Sequence, residues 1–349
     1  MVTQPTRRLL RTGQSLTVLG LGCAPLGGLY DAVSAGEARS TIDAAWAGGC
    51  RLFDTAPFYG YGLAEHRLGE ALRERPRDEW VLSTKVGRLL RPTLRRRSLG
   101  VERAPGDAWA APLPFEPVFD YSGAGVRRSL EDSLQRLGAN RLDIVLVHDI
   151  GELTHGSDHR RHWQAFIEGG GLRELEAMKR EGHVGAIGLG VNESQIVLDV
   201  LEHADLDCCL IAGRYTLLEQ TALPLLERCL ERKVGVIIGG PFNSGLLAAR
   251  DRVAARYNYE PAPPAVRQKA DALARVCAAH GVSLAAAAVQ FPLAHPAVVA
   301  CVPGARSASE VGEIRRWSQQ PLPASLWVDL RRESLLDGQA PVPRSDDAR

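Results

Sequence analysis

The sequence contains no CxxC pair, no apolar run of the roughly 18 residues that a membrane span needs, and no surplus of charge of either sign. Each absence excludes a class of function. Seven cysteines scattered at 23, 50, 208, 209, 229, 277 and 301 form neither a disulfide framework nor a structural zinc motif, and an odd number of thiols fits a reducing compartment. Lys plus Arg totals 42 against 41 for Asp plus Glu, so no broad field favours nucleic acid or an anionic membrane. The basic run Arg95-Arg96-Arg97 is the local exception and reads as a solvated loop. The stretch MVTQPTRRLLRTG has no apolar segment after its charges, so no export signal is read there and a cytoplasmic location is expected. A small-molecule partner remains, and nothing in the pattern sets an oligomeric state.

What is present is an ordinary globular composition, 45% hydrophobic and 24% charged, arranged as short apolar runs alternating with longer amphipathic stretches. Eight runs read as strands: Thr17 to Leu21, Arg51 to Asp54, Trp80 to Lys85, Leu142 to His148, Val184 to Leu189, Cys208 to Ile211, Val234 to Ile238 and Val298 to Val302. Helices are expected between them at 35–47, 64–73, 125–137, 172–181, 194–202 and 223–232. The seventh connection should hold two, at 265–280 and 284–293, separated by Gly281 as a cap and Ser283 as an N-cap. Strand then helix, eight times over, predicts a single-domain α/β fold, a (β/α)8 TIM barrel spanning residues 1–336. A long Pro- and Arg-rich loop, Arg88 to Tyr121, should follow the third strand, and a mobile polar tail should occupy 337–349. An open doubly wound sheet is disfavoured, because Gly20-Leu21-Gly22-Cys23-Ala24-Pro25 lacks the third glycine of a dinucleotide fingerprint.

In such a barrel the C-terminal strand ends share one rim. Asp54, Lys85 and His148 each close an apolar strand. Singly, each reads as a cap, a solvated lysine or a structural histidine; on one rim they point to a site. Tyr59 lies five residues past Asp54, and its bland reading is an aromatic plug. A tyrosine with an ordinary pKa of about 10 is a poor base at neutral pH; a neighbouring ammonium held by a carboxylate lowers that value. Lys85 and Asp54 supply those partners.

Gly49-Cys50-Arg51-Leu52-Phe53-Asp54-Thr55-Ala56-Pro57-Phe58-Tyr59-Gly60, with STK at 83–85, SLEDSLQRLGANRLDIVLVHD at 129–149, AIGLGVNE at 186–193 and VPGARSASEV at 302–311, resembles the aldo-keto reductase superfamily in order and spacing. The resemblance runs from about residue 16 to 335. It implies a tetrad of Asp54, Tyr59, Lys85 and His148, with Tyr59 moving the proton and His148 steering the substrate oxygen. It also implies a nicotinamide cofactor bound across the rim without a Rossmann fold. Cofactor contacts are expected from Gly22, Asn192, Tyr215, Gly240, Pro241, Phe242, Asn243, Ser244, Gly304, Arg306 and Glu310. Val191 and Ala212 stand where the family has a Ser and a Gln for the carboxamide, and the usual nicotinamide-stacking aromatic is missing, leaving Phe242 or Tyr215 to fill its place. With Arg306 as the one cation of the eighth loop and Glu310 beside it, NAD is expected over NADP.

Blocks at 87–92, 114–122, 148–151 and 212–218 look closer to the aldose 1-dehydrogenases, the D-threo-aldose and L-fucose group. The chemistry implied is oxidation of an anomeric C1 hydroxyl to a lactone, with Tyr30, Phe58 and Trp109 as candidate substrate wall. Pyridoxal oxidation and NADPH-dependent aldehyde or ketone reduction stay open, and a non-catalytic nicotinamide-binding sensor is the reading of another class. His155, His159 and His162 have spacings that would align on one helical face as metal ligands, but surface histidines are the expectation and no metal is assigned.

Overall fold

The computed structural model describes residues 3–94, 108–249, 251, 252 and 255–344; the Arg95-Arg97 run lies outside them. Eight parallel strands make one sheet: β1 (Leu21–Gly22), β2 (Leu52–Asp54), β3 (Val81–Val86), β4 (Leu142–His148), β5 (Val184–Val191), β6 (Cys208–Ala212), β7 (Gly235–Gly239) and β8 (Val298–Val302). Each pairs with its sequence neighbour. Parallel bridges Leu19 to Cys301 and Gly22 to Gly304 bring β8 back to β1 and close the ring, so the expected (β/α)8 barrel is the observed one.

The interior is filled by Leu52, Val81, Ile144, Leu146, Ala186, Leu210, Ile237 and Ala300, all buried, and a larger apolar shell lies between strands and helices. Helix ends follow local chemistry. Ser34 and Glu37 form a reciprocal capping box at the start of the helix Ala35–Ala47. In the seventh connection Gly281, with φ +67°, follows the helix Pro264–Ala279, and the Ser283 hydroxyl accepts from Ala286 N to open Leu284–Gln290.

Two departures from expectation are local. The apolar run at 17–21 yields only a two-residue β1, because Ser15–Thr17 instead pairs antiparallel with Thr6–Arg8. That N-terminal hairpin covers the N-terminal end of the barrel: Leu9 is fully buried with the interior cluster, and Arg7 Nη1 donates to Val298 O at 2.6 Å. The expected mobile tail is, from Asp337 to Arg344, held against the body. Ala340 is fully buried, its carbonyl accepts from Arg331, and Asp337 N donates to Gln220. Within the long loop after β3, Arg88–Pro92 and Phe115–Phe119 form an antiparallel ribbon over the rim. No single helix among the described residues is long and apolar enough to cross a membrane.

Candidate active site

β2, β3 and β4 carry their terminal polar residues to one place, because a shared parallel register brings Asp54 beside Ser83 and His148 beside Gly190. Lys85 Nζ donates to Asp54 Oδ2 at 2.8 Å, to Thr55 O at 2.9 Å and to the Tyr59 hydroxyl at 3.1 Å. Three acceptors satisfy the three ammonium hydrogens. Ser83 Oγ donates to the other Asp54 oxygen at 2.8 Å, so the carboxylate cannot turn away. Gly190 makes room, since a Cβ there would stand 3.2 Å from Lys85 Cε. Gly60 has φ +62° and a Cβ on it would fall 2.4 Å from Gly27 O; this glycine lets the Tyr59 loop lie on the loop after β1.

Burial opposes the Lys85 charge, but the Asp54 carboxylate and Tyr59 outweigh it, and the ammonium is held above its ordinary range. For Tyr59 the balance differs from the sequence expectation. Burial pushes the phenol up, Lys85 pulls it down, and Asp54 and Asp149 push it up again, so the net direction is upward. His148 is driven well below its usual range by burial, with Arg88 and Lys85 adding repulsion, which keeps the imidazole neutral. Its ring stands edge-on to Tyr59, centroids 6.1 Å apart, and its buried Nδ1 has no partner.

The candidate wall residues gather around Tyr59. Trp109 is 5.7 Å from the Tyr59 ring and 5.5 Å from Phe58, and Phe58 stands 6.1 Å from His148. Tyr30 joins through the backbone, donating from its N–H to Ala108 O, and Arg256 lies over its ring at 4.8 Å.

Three functional neighbours escaped the sequence reading of individual residues. Asp149, at φ +44°, is buried next to His148 with Oδ2 3.4 Å from His148 Nε2. It accepts from Arg88 at 2.6 Å and from Asn192 Nδ2 at 3.1 Å. Tyr121 donates from its hydroxyl to the His148 carbonyl at 2.7 Å. The third is Tyr259, whose phenol is pushed up by burial and by the neighbouring Tyr59, Asp149 and Tyr30, with Arg88 opposing. Tyr121 and Asp149, like the Arg88 that binds Asp149, stand in blocks the sequence singled out; Tyr259 does not.

The cofactor candidates divide. Asn192 is at the rim, and after β7 the residues Gly240, Asn243, Ser244 and Gly245 all have positive φ, from +46° to +92°. Buried Asn243 Oδ1 lacks a partner, so this loop offers an acceptor to a ligand that carries hydroxyl groups. Gly240 and Gly304 are exposed, and Pro241 is buried. Gly22 is a packing glycine, its Cβ position only 2.8 Å from Val302 O. Neither aromatic proposed to stack on the nicotinamide is turned that way: Phe242 packs on Trp317 at 5.7 Å, and fully buried Tyr215 lies against Phe291 and His295. Arg306 is already engaged by Glu310 at 2.9 Å and Asp31 at 2.6 Å.

The histidine trio is not a surface row. A helix 152–155 ends before a second begins at 159, so the spacing does not run along one helix. His162 is buried and stacks 4.2 Å from His155, whose Nε2 lies 3.0 Å from the Tyr121 hydroxyl, while His159 Nδ1 turns to Ile150 O at 3.1 Å. Among the described residues no group of three or more ligating side chains could hold a metal ion.

A barrel whose β2, β3 and β4 ends assemble Asp54, Lys85, Tyr59 and His148 matches, over residues 18–332, the sequence model of the aldo/keto reductase family. The chain belongs to that family. This aldo-keto reductase is 46% identical over 337 residues to the pyridoxal 4-dehydrogenase of Microbacterium luteolum, covering 95% of this chain and 97% of the relative. It is 37% identical over 326 residues to the D-threo-aldose 1-dehydrogenase of a Pseudomonas species, covering 93% and 96%. Its fold superposes on an aldo-keto reductase from Bacillus halodurans, solved in holo form, with a TM-score of 0.71 at 23% identity and 98% coverage of both chains. It is therefore an oxidoreductase, and a nicotinamide nucleotide is the family's cofactor.

Proposed function

We propose that this aldo-keto reductase oxidises a cyclic hemiacetal to its lactone, taking pyridoxal first and aldoses second, with NAD as the preferred hydride acceptor. The observation that carries the reading is the Lys85 ammonium bonded to both Asp54 and the Tyr59 hydroxyl, beside a neutral His148. Pyridoxal closes on its own hydroxymethyl group in water, so pyridoxal and an aldose present the same reacting unit, a ring carbon bearing one hydroxyl and one ring oxygen. The two relatives named above differ in substrate but share that unit. The aromatic lining of Phe58, Trp109 and Tyr30 suits a flat heterocycle, and the 46% relative points the same way.

When bound, the nicotinamide nucleotide supplies a hydride acceptor. Asn192 and the turn at 240–245 are the residues that would hold it. Tyr59, as the phenolate that the Lys85 ammonium stabilises, takes the hemiacetal hydroxyl proton as the C–H hydrogen leaves with its electron pair, and ends the step as the phenol. Asp54 keeps the ammonium aimed at that oxygen. Neutral His148 donates to the substrate oxygen and fixes its orientation. The preference for NAD rests on Arg306: a 2'-phosphate would have to displace two carboxylates to reach it, and those carboxylates repel the dianion.

The test follows absorbance of reduced nicotinamide with pyridoxal, L-fucose and D-arabinose, NAD and NADP run in parallel, and product identified as lactone. Lactone formation from pyridoxal with NAD supports the reading. Turnover only as NADPH-dependent carbonyl reduction overturns it, and tight nucleotide binding without turnover of any kind would transfer the site to a sensor role.

A further inference from the structure

The segment between β7 and the helix Pro264–Ala279 holds a tight hairpin. Arg256–Tyr257 pairs antiparallel with Glu260–Pro261, Arg256 opposite Pro261 and Tyr257 opposite Glu260. Asn258 and Tyr259 are thus the two turn residues, with φ +49° and +70°. A two-residue turn with both centres left-handed is the type I′ geometry, whose second position normally takes glycine. A tyrosine there is strained, because its Cβ crowds the neighbouring carbonyl. Strain of this kind persists only where surrounding contacts hold it.

Those contacts come from three separate rim loops. Arg214, after β6, donates to Asn258 Oδ1 at 3.2 Å and pairs with Glu219, which accepts from the Tyr257 hydroxyl at 2.5 Å. Ser244, in the turn after β7, accepts from Tyr259 N at 3.3 Å, and its neighbour Gly245 bridges to Arg256. The Arg256 guanidinium sits 4.8 Å over the ring of Tyr30, in the loop after β1. The hairpin is therefore pinned to the loops after β1, β6 and β7 at the mouth, with half-buried Tyr259 at its tip. Burial and the nearby groups Tyr59, Asp149 and Tyr30 all disfavour ionisation of its phenol, so Tyr259 is a neutral ring. Its backbone is tied to Ser244, and Arg256 of the same hairpin covers Tyr30, so the tip borders the mouth that Tyr30 lines.

We propose that Tyr259 is a specificity-determining residue, its ring the wall against which a planar substrate ring lies in the site already formed by Tyr59, Phe58 and Trp109. This rests on the hemiacetal dehydrogenase reading and deepens it. A flat heteroaromatic ring gains offset-stacking contact from such a wall, whereas a saturated, hydroxylated sugar ring gains less and leaves its hydroxyls facing carbon. The hairpin thereby biases the site toward the heterocyclic hemiacetal and away from the aldose.

The experiment compares the intact protein with Tyr259→Gly and Tyr259→Phe. Steady-state kinetics are taken with pyridoxal and with L-fucose at saturating nucleotide, nucleotide affinity by fluorescence titration, and Tm by calorimetry. Glycine keeps the I′ turn and removes the ring, so its Tm should equal or exceed that of the native chain. The expected result is a KM for pyridoxal raised about tenfold, the size of one lost aromatic contact. Nucleotide affinity should hold within about twofold, KM for L-fucose should change little, and Phe should restore the pyridoxal KM. An unchanged pyridoxal KM in the Gly variant at native Tm overturns the proposal, as does an equal loss of nucleotide affinity, which would make the ring a cofactor contact. If the native protein oxidises no hemiacetal, that result counts against the proposed function alone. The same variants are then read with reduction of 4-nitrobenzaldehyde, where the KM rise is again expected and its absence again overturns the role of Tyr259.

Discussion

The Tyr121 hydroxyl donates a 2.7 Å hydrogen bond to the main-chain carbonyl of His148. Both residues are buried, so this bond fixes the strand end from which the imidazole projects. Tyr121→Phe leaves that carbonyl unpaired in the interior, a cost of about 1–3 kcal/mol. We expect Tm to fall by several degrees and kcat to drop several-fold with nucleotide affinity kept. Native kcat in a folded Phe variant would show that the bond is structural only.

Tyr59→Phe removes the proton acceptor and keeps the ring that packs on Trp109. Oxidation should slow by roughly 10²–10⁴, the usual worth of a positioned acid or base. Nucleotide affinity should not move. Near-native turnover would exclude Tyr59 from the chemistry.

Lys85 and Asp54 are buried as a pair, 1% and 3% exposed. Removing one partner strands the other charge, at about 3–5 kcal/mol for a buried pair. Asp54→Asn should therefore lower both Tm and kcat, whereas the double change Asp54→Asn with Lys85→Met should regain much of the Tm and none of the activity. Calorimetry beside a turnover assay separates the two effects.

Because the free-site balance holds the Tyr59 phenol above its ordinary value, mainly by burial, little phenolate exists at neutral pH. The kcat/KM for oxidation should climb steadily from pH 7 to 10, while that for the reverse reduction, which uses the phenol, should stay level over the same interval. A flat oxidation profile would sink the assignment of Tyr59 as base.

His148, His155 and His162 are all held below the usual 6.5, chiefly by burial, His155 down to about 4. Above pH 6.5 they are neutral in both folded and unfolded chains. As pH falls from 6.5 toward 4, the unfolded chain takes up protons that the native state refuses, so stability declines through that window. Urea midpoints measured from pH 7.5 to 4 should show the loss, and His155→Gln should make the curve shallower.

The sequence carried Asp54, Lys85 and His148 because each sits at a sharp change of character: RLFD, VLSTK and DIVLVH are apolar stretches that close on a polar residue, and the fold turns those ends to a common rim; Tyr59 was legible only through its loop's resemblance to the family. The barrel was legible for the same reason, as buried strands are short apolar runs. β1 was misjudged in extent because Ser15–Thr17 has a second use, pairing with Thr6–Arg8 across the Gly13 turn. Tyr259 left no trace at all. Its hairpin has two-residue strands and an Asn-Tyr turn without glycine, so neither alternation nor turn chemistry marks it, and only its tertiary anchors at Arg214, Ser244 and Tyr30 make it. Phe242 and Tyr215 show the converse. Each occupies a promising place in the chain, and each is claimed by a stronger packing partner on the outer shell.

The N-terminal hairpin stoppers the end of the barrel remote from Tyr59, with Leu9 inside it and Arg7 on the Val298 carbonyl. A purification tag or a surface tether joined ahead of Thr3 is consequently carried on the opposite pole of the molecule. Protein fixed to a bead or an electrode through that end would present its open mouth to the flowing solution.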